Sequence, residues 1–236
     1  IRDTIMKDIN KKFKQKTWNE IKTKDSWQLF KIMSEFVNGF EKLSIIGPCV
    51  TIFGSARMKN NNHYYKEATK IAKLLSENGY GIITGGGPGI MEASNLGAKK
   101  GNSPSVGLMI DLPYEDTNND FIDEDKKINF DYFFIRKVMF VKYSQAFIVL
   151  PGGMGTLDEL FEAITLIQTR KIDKFPIILV GKTFWTGLID WLKTTLLNEK
   201  TISKIDLELI KIIDSPKEIL SVINKFYENY QLKPNF

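Results

Sequence analysis

Short runs of consecutive apolar residues alternate along the chain with longer segments in which apolar residues recur every three or four positions. The short runs are typical of buried parallel strands and the longer segments of amphipathic helices. Strands are predicted at residues 49–53, 81–84, 105–110, 129–135, 146–150, 176–180 and 211–213. Helices are predicted at residues 64–77, 90–99, 136–144, 157–169, 185–197 and from 215 onward. This alternation predicts an α/β fold with a doubly wound, mostly parallel sheet and helices on both faces.

The first 44 residues differ from the rest because they contain a helical pattern but no predicted strand. We therefore expect an N-terminal helical extension at 1–44, ended by Gly47-Pro48, and one α/β domain at 45–236. Apolar residues at helical spacing in this extension are expected to pack on the core or on a second subunit. They are Trp27, Phe30, Met33, Phe36, Val37 and Phe40. With the apolar face of the helix at 157–169, this stripe predicts a homodimer or a larger homo-oligomer.

Charge and composition exclude several classes of function. The net charge is +5, and residues 1–25 contribute +4 of it, so no basic face is expected on the core and no nucleic acid as a partner. One cysteine and one histidine argue against disulfide frameworks, Cys/His zinc sites and histidine-dependent triads, so we expect neither a metal nor a cofactor. No apolar run reaches the roughly 20 residues of a membrane span, which predicts a cytoplasmic protein without a membrane partner.

Candidate chemistry concentrates in three glycine-rich segments that follow predicted strands, at 54–55, 85–89 and 152–155. In an open α/β sheet such segments gather along the carboxyl edge, where ligands bind. The segment PGGMGTLDEL at 151–160 leads from a strand into a helix, so its free N–H groups and the helix dipole suit a phosphate. Thr156 and Glu159 also fit a capping box, in which both side chains would only satisfy backbone donors.

Two familiar nucleotide motifs do not fit these segments. The dinucleotide fingerprint requires G-x-G-x-x-G after the first strand, but the glycines at 85–89 follow the second strand and the final position is Ile90. Gly181-Lys182-Thr183 resembles the end of a Walker A loop, yet Pro176 stands where the first glycine is needed. A mononucleotide with its phosphate at 152–156 is therefore favoured over NAD or FAD.

Four motifs together resemble the Lonely Guy (LOG) family over residues 46–226. They are GS at 54–55, GGGPGIMEA at 85–93, RKVM at 136–139 and PGGMGTLDE at 151–159. The resemblance implies a Rossmann-like hydrolase of a family partly mislabelled in the past as lysine decarboxylases. Its members with an assigned activity cleave the N-glycosidic bond of a nucleoside 5′-monophosphate to free base and ribose 5-phosphate.

The resemblance also assigns roles to matching positions. It implies that Arg136 and Glu159 form the catalytic pair and that Lys137 assists the phosphate site. The substrate-binding positions that it implies are Gly54, Ser55, Glu115, Gly152, Gly153, Met154, Gly155, Thr156 and Thr165. Glu92 is either a second acid of the site or a surface residue of its helix.

The leader and the sequence Ile90-Met91-Glu92-Ala93 resemble the longer bacterial group of the family. Unmodified AMP is therefore at least as good a candidate substrate as a cytokinin riboside monophosphate of cytokinin biosynthesis. The same fold also occurs in non-catalytic nucleotide or molybdenum-cofactor carriers and in DNA-processing proteins. The presence of both Arg136 and Glu159 favours the hydrolase, and the near-neutral core disfavours DNA.

Overall fold

The computed structural model describes residues 18–110 and 119–236. Contacts divide the chain into a unit ending at Asn38 and a larger unit, Gly39–Phe236. The described part of the smaller unit is residues 18–38, which belong to helix α1, Trp18–Leu43. The side chains of Trp27, Phe30, Met33 and Val37 are exposed on it. The first 17 residues of the predicted extension lie outside the described residues, and its boundary at residue 44 stays a prediction.

The larger unit contains seven strands and seven α-helices in its described part. The strands are β1 Cys49–Phe53, β2 Gly81–Thr84, β3 Ser105–Ile110, β4 Lys127–Phe130, β5 Ser144–Val149, β6 Ile177–Leu179 and β7 Ile210–Ile212. The helices are α2 His63–Glu77, α3 Ile90–Gly101, α4 Phe133–Tyr143, α5 Met154–Gln168, α6 Lys182–Trp191, α7 Lys204–Leu207 and α8 Pro216–Tyr227. A 3₁₀ turn, Glu124–Lys126, precedes β4, and a π-helical segment, Leu192–Leu196, continues α6.

The strands form one parallel sheet in the order β4-β3-β2-β1-β5-β6-β7. Successive strands extend the sheet in one direction from β1 to β4 and in the opposite direction from β5 to β7. The winding therefore reverses between β1 and β5, which confirms the predicted doubly wound α/β fold. A crevice for a ligand is expected outside the carboxyl ends of these two neighbouring strands.

Side chains of the strands alternate between the two faces of the sheet, and each face is covered. On one face, Val50 and Ile52 belong to a buried cluster with residues of α2, α3 and α8. On the other face, the Phe53 ring meets Phe140 of α4 and Phe147 of β5 edge to face, with centroids 5.0 and 4.9 Å apart. These two cores fix the carboxyl ends of β1 and β5 from both sides.

The sequence pattern was wrong at two places near the crevice. The predicted strand at 129–135 ends at Phe130, and α4 begins at Phe133 rather than at residue 136. Helix α5 begins at Met154, three residues before the predicted start. Residues 111–118, which follow β3, lie outside the described residues.

Within residues 18–110 and 119–236, no helix combines the length and the apolar character that a bilayer crossing requires.

Candidate active site

A cavity of about 950 Å³ lies at the carboxyl ends of β1, β2 and β5. The three glycine-rich segments predicted to meet at this edge all line it. Its lining consists of residues 53–58, 85–88, 91, 109, 110, 133, 136, 152–156, 158, 159 and 184. Two arginines and two acidic residues are among them, together with four methionines and three phenylalanines.

The first turn of α5 is arranged to receive an anion. Gly153 is the N-cap, and no side chain of the described residues caps this end of the helix. The first turn also lacks an acidic residue that could neutralise the positive end of the helix dipole. The N–H groups at residues 154–156 therefore face the cavity at the amino end of the helix, as a phosphate requires.

The glycines of this turn serve two different purposes. A Cβ at Gly152 would collide with the side chain of Thr156, so packing alone requires glycine there. At Gly153 and Gly155, an added Cβ would meet no atom within 4 Å, and neither residue has a positive φ. Neither packing nor backbone conformation requires glycine at these two positions, which is expected where a ligand approaches the backbone closely.

The amino end of α6, on the next strand of the sheet, is already occupied by a carboxylate. Gly181 has a φ of 102° and caps the helix. Its N–H group donates to Asp214 Oδ1 at 2.6 Å, and the N–H of Lys182 donates to the same oxygen at 3.2 Å. This turn therefore has no vacant anion site, in agreement with the rejection of a Walker A loop at 181–183.

Glu159 lies in the second turn of α5, with its side chain in the cavity lining and only 5 % of the residue exposed. The predicted capping box is wrong, because Gly153 and not Thr156 is the N-cap. Burial raises the pKa of Glu159 to about 7, against the lowering effect of Lys137. Among the described residues, Oε2 of this carboxylate has no hydrogen-bond partner. A buried, incompletely satisfied carboxylate facing a cavity is a strong candidate for a functional group.

Lys137 holds the other oxygen of Glu159. Its ammonium lies 3.4 Å from Glu159 Oε1, 2.9 Å from Asp158 Oδ2 and 2.8 Å from Glu162 Oε2. Burial alone lowers the pKa of Lys137, but the hydrogen bonds to Glu162 and Asp158 and the charge of Glu159 hold it above its ordinary value. Three carboxylates thus surround this one cation, and its side chain is not among those that line the cavity.

Arg136 lies in the first turns of α4 and lines the cavity on the side of the β2 segment. Its guanidinium carbon lies 5.5 Å from the centre of the Phe133 ring and 5.4 Å from that of Phe140. A Cβ built on Gly85 would lie 2.9 Å from Met91 Sδ and 3.4 Å from a terminal nitrogen of Arg136, so glycine at this position leaves room for both side chains. Arg136 and Glu159 therefore line the same cavity from two different helices.

A buried polar network that sequence reasoning missed supports the β2 segment. The amide of Asn95 on α3 accepts from the Thr84 hydroxyl at 2.6 Å and from the Asn119 amide at 3.0 Å. Asn119 also donates to the carbonyl of Gly87 at 3.4 Å, and the Thr84 hydroxyl accepts from the N–H of Gly86 at 3.0 Å. The network fixes the backbone of the glycine loop through side chains of three separate segments.

The remaining predicted site residues fall into three groups. Gly54 and Ser55 line the cavity. Thr165 lies on α5, six residues after Glu159, and is exposed. Its hydroxyl donates to the carbonyl of Phe161 at 2.7 Å, and the residue does not line the cavity. Glu115 lies outside the described residues. Glu92 hydrogen-bonds to Tyr65, whose pKa burial and this carboxylate raise to about 12, and Glu92 is likewise absent from the cavity lining.

Solved structures with a similar fold include a molybdenum cofactor binding protein and a molybdenum cofactor carrier protein. The first, from the phototrophic bacterium Rippkaea orientalis, is 24% identical, with a TM-score of 0.52 over 77% of this chain and 98% of its own. The second, from Chlamydomonas reinhardtii, is 17% identical, with a TM-score of 0.56 over 77% of this chain and 99% of its own. At these identities the likeness establishes the fold alone.

Sequence comparison assigns the family. The family model described as "Possible lysine decarboxylase" matches residues 91–223, more than half of the chain. A cytokinin riboside 5′-monophosphate phosphoribohydrolase of Mycobacterium tuberculosis is 31% identical over 76% of this chain and 95% of its own length. An enzyme of the same name from Arabidopsis thaliana is 26% identical over 77% of this chain and 85% of its own. The chain therefore belongs to the Lonely Guy family, as the four motifs predicted.

Proposed function

We propose that this protein is a nucleoside 5′-monophosphate phosphoribohydrolase. It hydrolyses the N-glycosidic bond of AMP or of a cytokinin riboside monophosphate and releases the free base and ribose 5-phosphate. The observation that carries the proposal is the position of Glu159, a buried carboxylate on the helix whose amino end is open to an anion. A phosphate bound at this end brings the attached ribose within reach of the same helix face.

The chemistry follows from the charge that develops on the sugar. Cleavage of the C1′–N bond leaves its electron pair on the base and gives C1′ an oxocarbenium-like character. The carboxylate of Glu159 stabilises this positive charge and orients a water molecule, whose oxygen attacks C1′ and whose proton replaces the sugar on the base. Arg136 stabilises the departing base by charge and hydrogen bonding, because a guanidinium does not give up its proton.

The pH dependence of the reaction provides one test of this role. Glu159 acts as a carboxylate with a pKa of about 7, so kcat/KM for AMP should rise about tenfold per pH unit below pH 7 and level off above it. The ammonium of Lys137 lowers this pKa, and Lys137→Met should therefore move the rise about one unit to higher pH. The profile is measured from initial rates of adenine release between pH 5 and 9.

The surface pair Lys70–Glu67 supplies the matched control for this shift. Lys70 lies 2.7 Å from its carboxylate partner on α2, and neither residue lines the cavity. Lys70→Met should leave the profile unchanged. Titration of the AMP phosphate affects all three proteins equally, so it cancels when the profiles are compared. An unchanged profile in Lys137→Met would contradict the assigned role of Glu159.

The proposed activity itself is tested with a panel of nucleoside monophosphates. The protein is incubated with AMP, GMP, CMP, UMP and isopentenyladenosine monophosphate, and the released base and ribose 5-phosphate are measured. Release from at least one of them is expected, with nucleosides as poor substrates because they lack the phosphate. Tight binding of a nucleotide without release of any base would instead support the non-catalytic carrier.

We include a homo-oligomer in the proposal, since Trp27, Phe30, Met33 and Val37 of α1 remain exposed in the single chain. Light scattering coupled to size exclusion measures the assembly directly. A monomer at micromolar concentration would contradict this part of the proposal and leave the activity untouched. Cytoplasmic location and the absence of a nucleic-acid partner stay predictions from composition.

A further inference from the structure

The cavity contains more positive charge than the catalytic pair accounts for. Arg57 and Arg136 both line it. Lys137 does not line it, and its ammonium lies 3.4 Å from Glu159 Oε1. A nucleoside monophosphate contributes two negative charges at neutral pH, and Asp158 and Glu159 lie in the same lining. Backbone N–H groups alone supply no net charge, so binding the phosphate dianion calls for a cation that is not already committed elsewhere.

Lys137 does not meet this requirement. Its ammonium contacts three carboxylates within 3.4 Å, two of them within 2.9 Å. Arg136 lies against the faces of two phenylalanine rings on the side of the β2 segment, whereas the anion-ready turn follows β5, on the other side of β1. These contacts favour a different residue for the role of assisting the phosphate, which the family resemblance implied for Lys137.

Arg57 follows β1, which lies between β2 and β5 in the sheet. It follows β1 by four residues, and Ser55 joins its segment to the phosphate turn through an N–H bond to the carbonyl of Pro151 at 3.0 Å. The N–H of Arg57 donates to the Ser55 hydroxyl at 3.1 Å, which fixes the backbone at the base of the side chain. The residue is exposed, and no carboxylate of the described residues forms an ion pair with it.

We propose that the Arg57 guanidinium binds the 5′-phosphate and thereby determines the preference for nucleotides over nucleosides. The inference rests on the proposed function, which supplies the identity of the ligand. Its test measures ligand binding and does not require hydrolysis. The planar guanidinium presents paired N–H donors that match two phosphate oxygens. Together with the N–H groups of α5, it would enclose the phosphate from two strands that are neighbours in the sheet.

Binding measurements on Arg57→Met test the inference. Isothermal titration with AMP, ribose 5-phosphate and adenosine separates phosphate affinity from affinity for the base and sugar. We expect Arg57→Met to weaken AMP and ribose 5-phosphate about 10- to 100-fold, as the loss of hydrogen bonds to a charged group implies, and to leave adenosine within about twofold. Arg57→Lys should recover part of the loss, because it keeps the charge but not the paired donors.

Lys59 provides the control, since it is an exposed cation two residues further along and does not line the cavity. Lys59→Met should bind all three ligands as the wild type does. An equal loss of AMP and adenosine in Arg57→Met, or no loss of AMP, would overturn the inference. Absence of phosphate-dependent binding by the wild type would also overturn it. Phosphate-dependent binding without hydrolysis would contradict the proposed function alone and leave Arg57 its role.

Discussion

Replacement of Glu159 by glutamine is expected to slow AMP hydrolysis at least about a thousandfold and to change the dissociation constant of AMP less than about tenfold. The amide keeps the shape of the side chain but removes the negative charge that, in the proposed reaction, stabilises the sugar cation and orients the water. The measurement pairs single-turnover rates of adenine release with titration calorimetry. Wild-type turnover in the variant would exclude Glu159 as the catalytic carboxylate.

Glu77→Gln is a suitable control for this substitution. Glu77 pairs with Lys73 at 3.5 Å on the surface of α2, and both side chains are about half exposed. The same chemical change at this position should leave turnover and AMP binding as in the wild type. A comparable loss of activity in the control would point to a general effect of the lost charge rather than to the site.

The stability of Glu159→Gln distinguishes loss of function from misfolding. The folded-state pKa of Glu159 is about 7 and exceeds the ordinary value of 4.5, so the stability linked to protonation is fully present below pH 4.5 and lost as the pH rises through 7. Glutamine does not ionise. The variant should therefore unfold with a free energy up to about 3 kcal/mol above that of the wild type at pH 8, and with little difference at pH 4.5. Urea unfolding at both pH values measures this.

Gly155→Ala is expected to weaken AMP binding about 10- to 100-fold without destabilising the fold. An added methyl group meets no protein atom within 4 Å, and alanine favours the helical conformation that Gly155 already has. A bound phosphate would meet that methyl group and lose one or two hydrogen bonds to backbone N–H groups. Calorimetric titration and a thermal melt of the same sample measure the two effects together.

Gly187 offers the matched control, because it also lies in a helix, has no atom within 4 Å of an added Cβ and does not line the cavity. Gly187→Ala should likewise not lower the melting temperature, and it should leave AMP binding unchanged. Full AMP affinity in Gly155→Ala would contradict the placement of the phosphate at this turn.

Sequence patterns predicted the strands of the site well because buried parallel strands are nearly continuous apolar runs. Residues 146–150 and 81–84 stand out in this way, and the glycines that follow them mark the carboxyl edge. Helix starts were less accurate. The glycines at 152–155 read as a loop, although Gly155 forms part of α5 once the helix is packed, and the aromatic residues Phe133 and Phe134 favoured a strand where α4 begins.

Long-range polar contacts could not be predicted from local sequence. Asn95 occurs in a helix and Asn119 in a polar segment, and nothing nearby indicates that both are buried and hydrogen-bonded to each other. Asp214 similarly appears as a loop residue until the fold brings it to the amino end of α6. The catalytic pair was proposed from family resemblance, whereas the burial of Glu159 and its contact with Lys137 depend on packing between α4 and α5.

The two backbone bonds of Ser55 have a consequence for the evolution and redesign of the site. Its N–H group binds the carbonyl of Pro151, and its carbonyl accepts from the N–H of Ile90, so one residue sets the width of the crevice. An insertion or deletion beside Ser55 would displace the segments at Pro151 and at Ile90 together. Altered substrate range in homologues should therefore arise from exchanges of side-chain bulk at positions such as Met91 and Met109, with loop length in this segment held constant.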